Sequence, residues 1–236
     1  MKTFTLEATK HPDLFRVVDR EGNWEHYFHK PTGAYLRGIT TVLGEGYAKG
    51  YFFDQWLLSK TKEEQAQILS KAADRGDQVH RTIDLLLSAE GDKPIVLSRE
   101  EGIFARGEGD YKALDLQGWD CMLAFSRFWS ANKPIVIASE FSVYNLKQGY
   151  AGTGDGLIIL TQACGVKSCK CEPLVGKIGL WDWKTSSGIR SSYSAQVGAL
   201  AASDNIENYL PQGGSIDYGA ILRLGTNHKT TGGYEM

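Results

Sequence analysis

Two acids and a lysine occupy strand positions that could support divalent-metal chemistry. Asp155 lies among the glycines of segment 152–156, ahead of an apolar run, and Asp182 ends a second apolar run. Side chains alternate along a strand, so Asp182 and Lys184 should project from one face and Trp183 from the other. If the two strands are neighbours, their carboxylates can share Mg²⁺, which prefers oxygen ligands. This spacing predicts hydrolysis of phosphodiester bonds, with Lys184 facing the attacking water.

These residues also have ordinary structural interpretations. Asp155 between glycines could be a turn residue. Asp182 and Lys184 could form an exposed ion pair worth under about 1 kcal/mol. The tryptophan on each side of Asp182 disfavours that alternative, because charges inside an apolar strand seldom lack a partner or a metal. Burial or nearby cations lower the pKa of a lysine, so we expect Lys184 to lose its proton readily.

The elements that must position these residues form an α/β pattern. In chain order, the predicted elements are strands within 15–43 with a turn at 30–33, helices at 50–59, 61–89 and 111–130, strands at 135–143, 150–160 and 174–185, a helix at 192–202 and a strand at 218–224. The last strand is apolar on both faces, which indicates a central sheet covered by helices. A capping box of Thr61 and Glu64 opens the long helix.

That long helix contains two residues of interest. His80 lies beside an apolar stripe and is, taken alone, typical of a packed helix histidine. Gly76 lies one turn earlier and costs about 1 kcal/mol relative to alanine, so we expect either a helix break or the close approach of a ligand or another backbone.

Composition limits the classes of protein to consider. The chain has 236 residues, 42% of them hydrophobic, enough to bury a sizeable core. We expect one domain, 1–236, with an N-terminal β-lobe at 1–48, a helical region at 49–131 and a sheet core at 132–236 that carries the acids. No apolar run reaches the roughly 20 residues that span a bilayer, and the start lacks a signal-peptide core. We therefore expect no membrane partner and a cytoplasmic location.

The net charge gives no strong signature of nucleic-acid binding. The formal charge is −2, from 26 basic and 28 acidic side chains. Bulk binding of nucleic acid usually accompanies a basic excess, so any such binding must be local. A bound metal would supply part of the positive charge at a phosphate.

Three of the four cysteines form a cluster between the two acid-bearing strands. Cys164, Cys169 and Cys171 have C-x4-C-x-C spacing, unlike the paired C-x2-C repeat of zinc ribbons. We do not expect zinc or an iron–sulfur cluster there and prefer a solvated hairpin loop with free thiols. Disulfides are not expected in a reducing compartment.

The order of these motifs resembles the RecB-like branch of the PD-(D/E)XK nuclease superfamily. The matching segments are 76–80 with His80, Glu140, 152–155 with Asp155, 182–185 with Asp182 and Lys184, and Tyr193-x-x-Gln196. Segment 38–43 and the aromatic helix after it are also similar to the N-terminal region of phage-type and mitochondrial genome maintenance exonucleases. Single motifs of this kind recur by chance, whereas five in order are fairly specific.

The resemblance implies a restriction-endonuclease-like αβββαβ core, with a mixed central sheet flanked by helices and an added N-terminal β-hairpin and helical region. It implies Mg²⁺ or Mn²⁺ as cofactor, and it implies site residues with distinct roles. The metal ligands would be His80, Asp155, Asp182 and the Trp183 carbonyl, with Glu140 as an accessory acid. Lys184 would orient or activate water, and Gln196 and Tyr193 would steady the lysine or the nucleic acid. The residues that would contact nucleic acid are Thr185, Ser186, Arg75 and Arg190.

For the two arginines, solvated surface charge is the alternative, and a polar helix face is the alternative for Tyr193 and Gln196. Family members with iron–sulfur clusters take one cysteine before the core and three after it. Here three cysteines lie inside the core, so a cluster is not carried over.

The function expected is a metal-dependent DNA exonuclease in recombination, repair or replication, of phage or mobile-element type. DNA, single-stranded or at duplex ends, would be its partner, with a recombination or replication protein as a second. The alternatives are an endonuclease, a DNA- or protein-binding module on a nuclease fold that does not cut, and a structural metal protein organised by the cysteine cluster. Strand preference and oligomeric state stay open.

Overall fold

A computed structural model of the chain describes residues 4–19, 24–47, 51–88, 97–98, 103–104, 114–167, 169–226 and 233–236. The strands are β1 (Thr5–Ala8), β2 (Leu14–Val18), β3 (Trp24–His29), β4 (Ala34–Gly38), β5 (Leu97–Ser98), β6 (Ile103–Phe104), β7 (Ile135–Asn145), β8 (Tyr150–Ile159), β9 (Ile178–Lys184) and β10 (Tyr218–Arg223). The helices are α1 (Ile39–Gly46), α2 (Tyr51–Leu58), α3 (Lys62–Ser88), α4 (Leu116–Asn132) and α5 (Ser191–Ala201), with 3-10 turns at Glu172–Leu174 and Ile206–Tyr209.

Strand β8 organises an open mixed sheet. The order is β1-β2-β3-β4-β8-β9-β10, and β7 pairs antiparallel along β8. Strand β8 pairs in parallel with β4 near Tyr150 and antiparallel with β9 near Ile158. Strand β10 runs parallel to β9. The N-terminal strands therefore continue the sheet that carries both acids, although their grouping as a separate lobe had been the expectation.

Helices cover the sheet and bury two main clusters of apolar side chains. One cluster joins α3 and α4 to β9 and is built on Val79, Phe125, Phe128, Trp181 and Trp183, all of which are 1% exposed or less. The other cluster joins α1 and α5 to the sheet through Ile39, Leu157, Leu180, Val197 and Leu200. The adjacent residues Leu180 and Trp181 thus enter different clusters, as strand alternation requires. The mixed α/β prediction is confirmed.

Local sequence explains where several helices begin. At the start of α3, the Thr61 backbone N–H donates to Glu64 (2.9 Å) and the Glu64 N–H donates to the Thr61 hydroxyl (3.2 Å), so the predicted capping box is present. Helix α4 begins after Asp115, whose carboxylate accepts the Gly118 N–H at 2.6 Å. Residues 111–113 of the predicted helix lie outside the described residues. None of the helices described combines the length and apolarity needed to cross a bilayer.

The order helix, three strands, helix, strand is confirmed by α4, β7, β8, β9, α5 and β10. The predicted strand over residues 39–43 is wrong, because those residues form α1. Their β-branched composition favours a strand, but Ile39 is buried against α5 and stands over Gly152 of β8, so tertiary packing overrides the local preference. Helix α3 also passes Gly76 without a break.

Candidate active site

A cleft of about 900 Å³ opens where α3, α5, β1 and the strands around β8 meet. Among the residues predicted from sequence, those that line it are Arg75, His80, Glu140, Asp155, Lys184, Thr185, Ser186, Tyr193 and Gln196. Gly76 of α3 also lines it, and a Cβ there would stand 3.7 Å from the Thr185 hydroxyl oxygen. This is an ordinary van der Waals contact with a side chain, so the structure does not show the close approach of another backbone that was expected at Gly76.

Three donors from three elements converge in this cleft. The Nδ1 atom of His80 on α3 lies 3.4 Å from an Asp155 oxygen on β8 and 3.8 Å from a Glu140 oxygen on β7. One ligand atom from each residue lies within 4.8 Å of the others, a spacing that could hold a metal ion. His80 and Asp155 were predicted as ligands. Glu140 had been given an accessory role, and the structure brings it into the same group.

Backbone geometry at Glu140 is unusual for a strand residue. Its φ is +47°, in the left-handed region that non-glycine residues rarely adopt. The neighbouring pairs Ser139–Gly156 and Phe141–Gly154 put Glu140 opposite Asp155 on adjacent strands. Two carboxylates facing each other repel, and strained backbone of this kind costs about 1–3 kcal/mol and clusters at functional sites. Both unfavourable features are present in the folded sheet, which supports a functional rather than a structural role for Glu140 and Asp155.

The charge balance among His80, Glu140 and Asp155 depends on the protonation of His80. Burial opposes protonation of this imidazole, but Asp155 and Glu140 outweigh burial and raise the pKa of His80 to about 10. Burial together with Asp155 raises the pKa of Glu140, although its hydrogen bond to His80 acts in the other direction. Burial alone would raise the pKa of Asp155, yet the charge of His80 holds that pKa below its ordinary value. The imidazolium therefore occupies the position of a cation between two acids.

Asp182 and Lys184 form a pair on one side of β9, as strand alternation predicted. The Lys184 Nζ donates to the Asp182 Oδ1 at 2.7 Å, and Asp182 is 1% exposed. The other carboxylate oxygen, Oδ2, is buried and accepts no hydrogen bond within the described part of the chain. Burial, reinforced by Asp155, raises the pKa of Asp182 to about 7. A buried oxygen without a donor is costly unless a cation or a proton satisfies it.

The pKa of Lys184 differs from the expectation. Burial lowers it, as predicted, but Asp182 and Asp155 outweigh burial and raise the pKa above its ordinary value. The two acids therefore favour the cationic form of Lys184, which donates to Asp182. Its Nζ also lies 5.1 Å from the centre of the Tyr193 ring on α5, within the range of a cation–π contact. This contact supports the predicted role of Tyr193 in steadying the lysine.

Trp183 joins the two acid-bearing strands through its backbone. Its N–H donates to the Asp155 Oδ2 at 2.6 Å, which fixes one oxygen of that carboxylate and leaves Oδ1 toward His80. Its indole packs edge-on against Phe125 of α4, at 5.6 Å between ring centres. A Cβ at Gly156 would stand 2.8 Å from that indole, so the glycine permits the ring to lie over β8. The Trp183 carbonyl as a metal ligand stays a prediction.

Glycines beside Asp155 serve packing rather than a turn. All of segment 152–156 lies inside β8, so the turn alternative for Asp155 is excluded. A Cβ at Gly154 would meet the buried Phe141 ring at 2.3 Å, and one at Gly152 would meet the Ile39 side chain at 2.7 Å. Because Gly152 and Gly154 have no side chain, Ile39 and Phe141 can pack directly against the strand that carries Asp155.

The donor set fits a divalent metal. Carboxylate oxygens from Glu140 and Asp155 are hard donors suited to Mg²⁺ and Mn²⁺, and the imidazole of His80 adds a nitrogen donor. The free, buried Oδ2 of Asp182 is a fourth atom that requires a cation or proton. Asp182 does not lie in the close three-donor group, and its role as the central shared ligand stays a prediction.

The two predicted arginine contacts differ. Arg75 lines the cleft, but its guanidinium is bound to Asp115, with Nε 3.1 and 3.0 Å from the two carboxylate oxygens. Arg190 precedes α5, is exposed and is not among the cleft-lining residues, so solvated surface charge is the better interpretation for it. Gln196, one turn after Tyr193 on α5, does line the cleft.

The sequence argument missed the N-terminal wall of the cleft. Lys10 reaches across to α3 and donates to Asp84 at 2.6 Å and to the Ser139 carbonyl at 3.0 Å. Arg16 of β2 and Tyr27 of β3 line the cleft as well. No local pattern marks these residues, because they reach the site only through the pairing of β4 with β8.

The cysteine cluster also differs from the expectation. The thiols are free, but Cys171 is 2% exposed and packs into the core rather than lying in a solvated loop. The sulfurs of Cys164, Cys169 and Cys171 all lie within 4.8 Å of one another. The described residues therefore include two groups with metal-binding geometry, one of oxygen and nitrogen donors and one of sulfur donors.

Comparison with known proteins adds no family to this description. No family model matches the chain, and no curated protein matches its sequence. The geometry of the cleft and the order of the motifs are therefore the features that bear on function.

Proposed function

We propose that the protein is a divalent-metal-dependent nuclease that hydrolyses DNA phosphodiester bonds, and that it belongs to the RecB-like branch of the PD-(D/E)XK superfamily. The element order α4, β7, β8, β9, α5, β10 supports this proposal, because it is the αβββαβ order that the resemblance implies. Exonuclease action is favoured over endonuclease action by the resemblance alone.

One observation carries the proposal. His80, Glu140 and Asp155 come from distant parts of the chain and meet in one cleft, beside the buried Asp182–Lys184 pair. A structural ion-pair network would satisfy its members, whereas here one Asp182 oxygen is buried without a donor among the described residues. Titratable groups with perturbed pKa values, gathered in one cleft, are typical of catalytic sites.

The metal would be held by His80, Glu140 and Asp155, with Asp182 adjacent. When bound, Mg²⁺ or Mn²⁺ lowers the pKa of a bound water and neutralises charge on the phosphate. Lys184 is fixed by Asp182 and by the Tyr193 ring, so its ammonium can hold a water or a phosphate oxygen in one orientation. Asp155 is held in turn by the Trp183 N–H.

Local charge also supports a nucleic-acid substrate despite the formal charge of −2. The cleft is lined by basic side chains from β2, α3, β9 and the loop after β1, namely Lys10, Arg16, Arg75, Arg81 and Lys184. Lys10, Arg75 and Lys184 are paired with acids, whereas exposed Arg81, which follows His80 on α3, takes part in no ion pair within the described residues. A phosphate backbone entering this cleft would meet positive charge beside the acid group.

The test is cleavage of end-labelled linear single-stranded, linear double-stranded and closed circular DNA, with Mg²⁺, Mn²⁺ or EDTA. Wild type should degrade linear DNA in either metal and not in EDTA. Asp182→Asn should abolish cleavage while preserving the fold, because it removes the carboxylate charge without changing the side-chain volume. Asp120→Asn is the matched control, since Asp120 is an exposed acid on α4 outside the cleft.

Three outcomes separate the alternatives. Cleavage of the closed circle would make the protein an endonuclease. Retained hydrolysis by purified Asp182→Asn would refute the assignment of the site. Absence of cleavage with every metal, together with measurable DNA affinity, would favour the non-cleaving binding module.

A further inference from the structure

The connection between β8 and β9 gathers three thiols against the core. The Sγ atoms of Cys171 and Cys164 are 3.4 Å apart, and the Cys169 sulfur completes a group within 4.8 Å. These residues pack against a buried cluster that includes Leu160, Trp181 and Tyr234. The fourth cysteine, Cys121, is buried in the same cluster but is not part of the sulfur group.

The spacing of the sulfurs is close to that of a thiolate metal site. Sulfur atoms bound tetrahedrally to one Zn²⁺ at 2.3 Å stand about 3.8 Å from each other. The structure holds one pair at 3.4 Å and all three within 4.8 Å, so small movements would bring them onto a common ion. A disulfide would instead need about 2.05 Å between two sulfurs and would leave the third thiol unused.

Hydrogen-bond donors surround these sulfurs. The Cys164 N–H donates to the Cys171 Sγ at 3.3 Å, and the Cys164 sulfur is within hydrogen-bonding reach of the Val166 N–H and the Tyr234 side chain. A left-handed Gly165, with φ of +73°, turns the chain so that these backbone groups face inward. Donors directed at sulfur stabilise thiolates and orient them, as outer-shell partners do in metal sites.

We propose that Cys164, Cys169 and Cys171 bind a structural zinc ion. Soft thiolate ligands select zinc over Mg²⁺ or Mn²⁺, so this site is chemically separate from the carboxylate cleft. Tyr234 is buried in the core cluster against which Cys164 and Cys169 pack, and it is the candidate for the fourth position. A [4Fe–4S] cluster would need a fourth thiolate, and Cys121 lies outside the group.

The ion would brace one end of the acid-bearing strands. The connection is already closed by the Leu160–Val175 bridge and by the Gly176 N–H, which donates to the Leu160 carbonyl at 2.8 Å. The chain end that carries Tyr234 returns to the sheet through the Arg223–Glu235 bridge. Zinc would therefore tie the β8–β9 connection to the C-terminal segment, independently of any catalysis.

The experiment measures metal directly and does not depend on nuclease activity. Protein without a polyhistidine tag is purified from zinc-supplemented cells and dialysed against Mg²⁺, and its metal content is determined by mass spectrometry. Wild type should retain about one zinc ion per chain. Cys169→Ser should reduce this content at least tenfold, whereas Cys121→Ser, the matched control, should leave it unchanged.

A second measurement covers the case in which Cys169→Ser does not fold. Reduced wild type is stripped with a chelator and titrated with Co²⁺, and thiolate-to-cobalt charge-transfer absorption should saturate near one equivalent. Absence of that absorption, zinc content near zero in wild type, copper in place of zinc, or a Cys164–Cys171 disulfide in the native mass would each overturn the proposal. Any of these results would leave the proposed nuclease function standing.

Discussion

The two donor groups of this protein lie close to strand β8 yet differ in their chemistry and surroundings. Glu140 and Asp155 lie within β7 and β8 at a cleft, together with His80 of α3, whereas Cys164, Cys169 and Cys171 lie in the connection that follows β8, against the core. The cleft provides hard oxygen donors, and its carboxylates repel each other. The sulfur group provides soft donors that are already joined by hydrogen bonds from the Cys164 N–H to the Cys171 Sγ and from the Cys171 thiol to the Cys164 Sγ.

This contrast teaches which group is strained for function. In and beside the cleft, Glu140 has a left-handed backbone and Asp182 has a buried oxygen without a donor among the described residues. Such costs persist at sites whose task requires them. None of the three clustered cysteines has a left-handed backbone. We therefore expect metal at the cleft to control activity with little effect on stability, and metal at the thiols to control stability with little direct effect on chemistry.

The largest effect expected is on catalysis. Lys184→Gln keeps a hydrogen-bond donor for Asp182 but removes the positive charge, so DNA cleavage should fall by roughly 10²- to 10⁴-fold. The melting temperature should change little. Rates are compared with those of Lys177→Gln, which alters an exposed lysine just before β9. A loss of less than fivefold for Lys184→Gln would show that the lysine only balances charge in the cleft.

The next effect is on stability and concerns the sulfur group. Zinc at a thousandfold excess over its dissociation constant should stabilise the folded chain by about 4 kcal/mol. Urea denaturation with zinc and with chelator measures this difference, and Cys169→Ser should abolish it. Mg²⁺ should give no comparable shift, because it is held loosely at the carboxylates. A stabilisation by Mg²⁺ equal to that by zinc would remove the distinction between the two regions.

A smaller effect tests how tightly the cleft is packed. Gly154→Ala would bring a Cβ to 2.3 Å from the buried Phe141 ring, so the free energy of unfolding should fall by about 1–3 kcal/mol. Gly198→Ala on α5 has nothing within 4 Å of its Cβ and should raise stability by roughly 1 kcal/mol. Chemical denaturation of both variants provides the comparison. An equal change in the free energy of unfolding for the two variants would mean that β8 can adjust to the added Cβ beside Asp155.

Sequence reasoning recovered the features that depend on local pattern. The capping box at Thr61, the alternation of Asp182, Trp183 and Lys184, and the long elements around them follow from periodicity and side-chain chemistry, and the structure reproduces them. The approach of His80 to Asp155 was expected from motif order rather than from any physical pattern.

Features that depend on tertiary packing were beyond that reasoning. Four of the five residues at 39–43 are β-branched, yet the segment is helical, because Ile39 is buried against α5. The left-handed backbone of Glu140, in the strand that pairs with β8, is marked by no sequence pattern. The gathering of the thiols depends on how the loop around Gly165 folds onto the core, which cysteine spacing alone does not reveal.

The smallest effect expected concerns the arginine at the edge of the cleft. Asp115 holds the Arg75 guanidinium through two hydrogen bonds, and this pairing keeps the pKa of the Asp115 carboxyl below its ordinary value. Asp115→Asn can still cap α4 by accepting the Gly118 N–H, since asparagine is also a favoured N-cap residue. The change should therefore release Arg75 toward DNA without unfolding the helix.

Binding is measured by fluorescence anisotropy in the Asp182→Asn background, so that no substrate is cut. One added phosphate contact should steepen the slope of log affinity against log salt by about 0.7–0.9. Asp120→Asn in the same background removes an equal charge from α4 outside the cleft and should leave the slope unchanged. An unchanged slope for Asp115→Asn would show that Arg75 has a structural role and does not contact DNA. Weaker DNA binding would show that the ion pair with Asp115 orients Arg75 toward the phosphate, so that losing the pair weakens the contact.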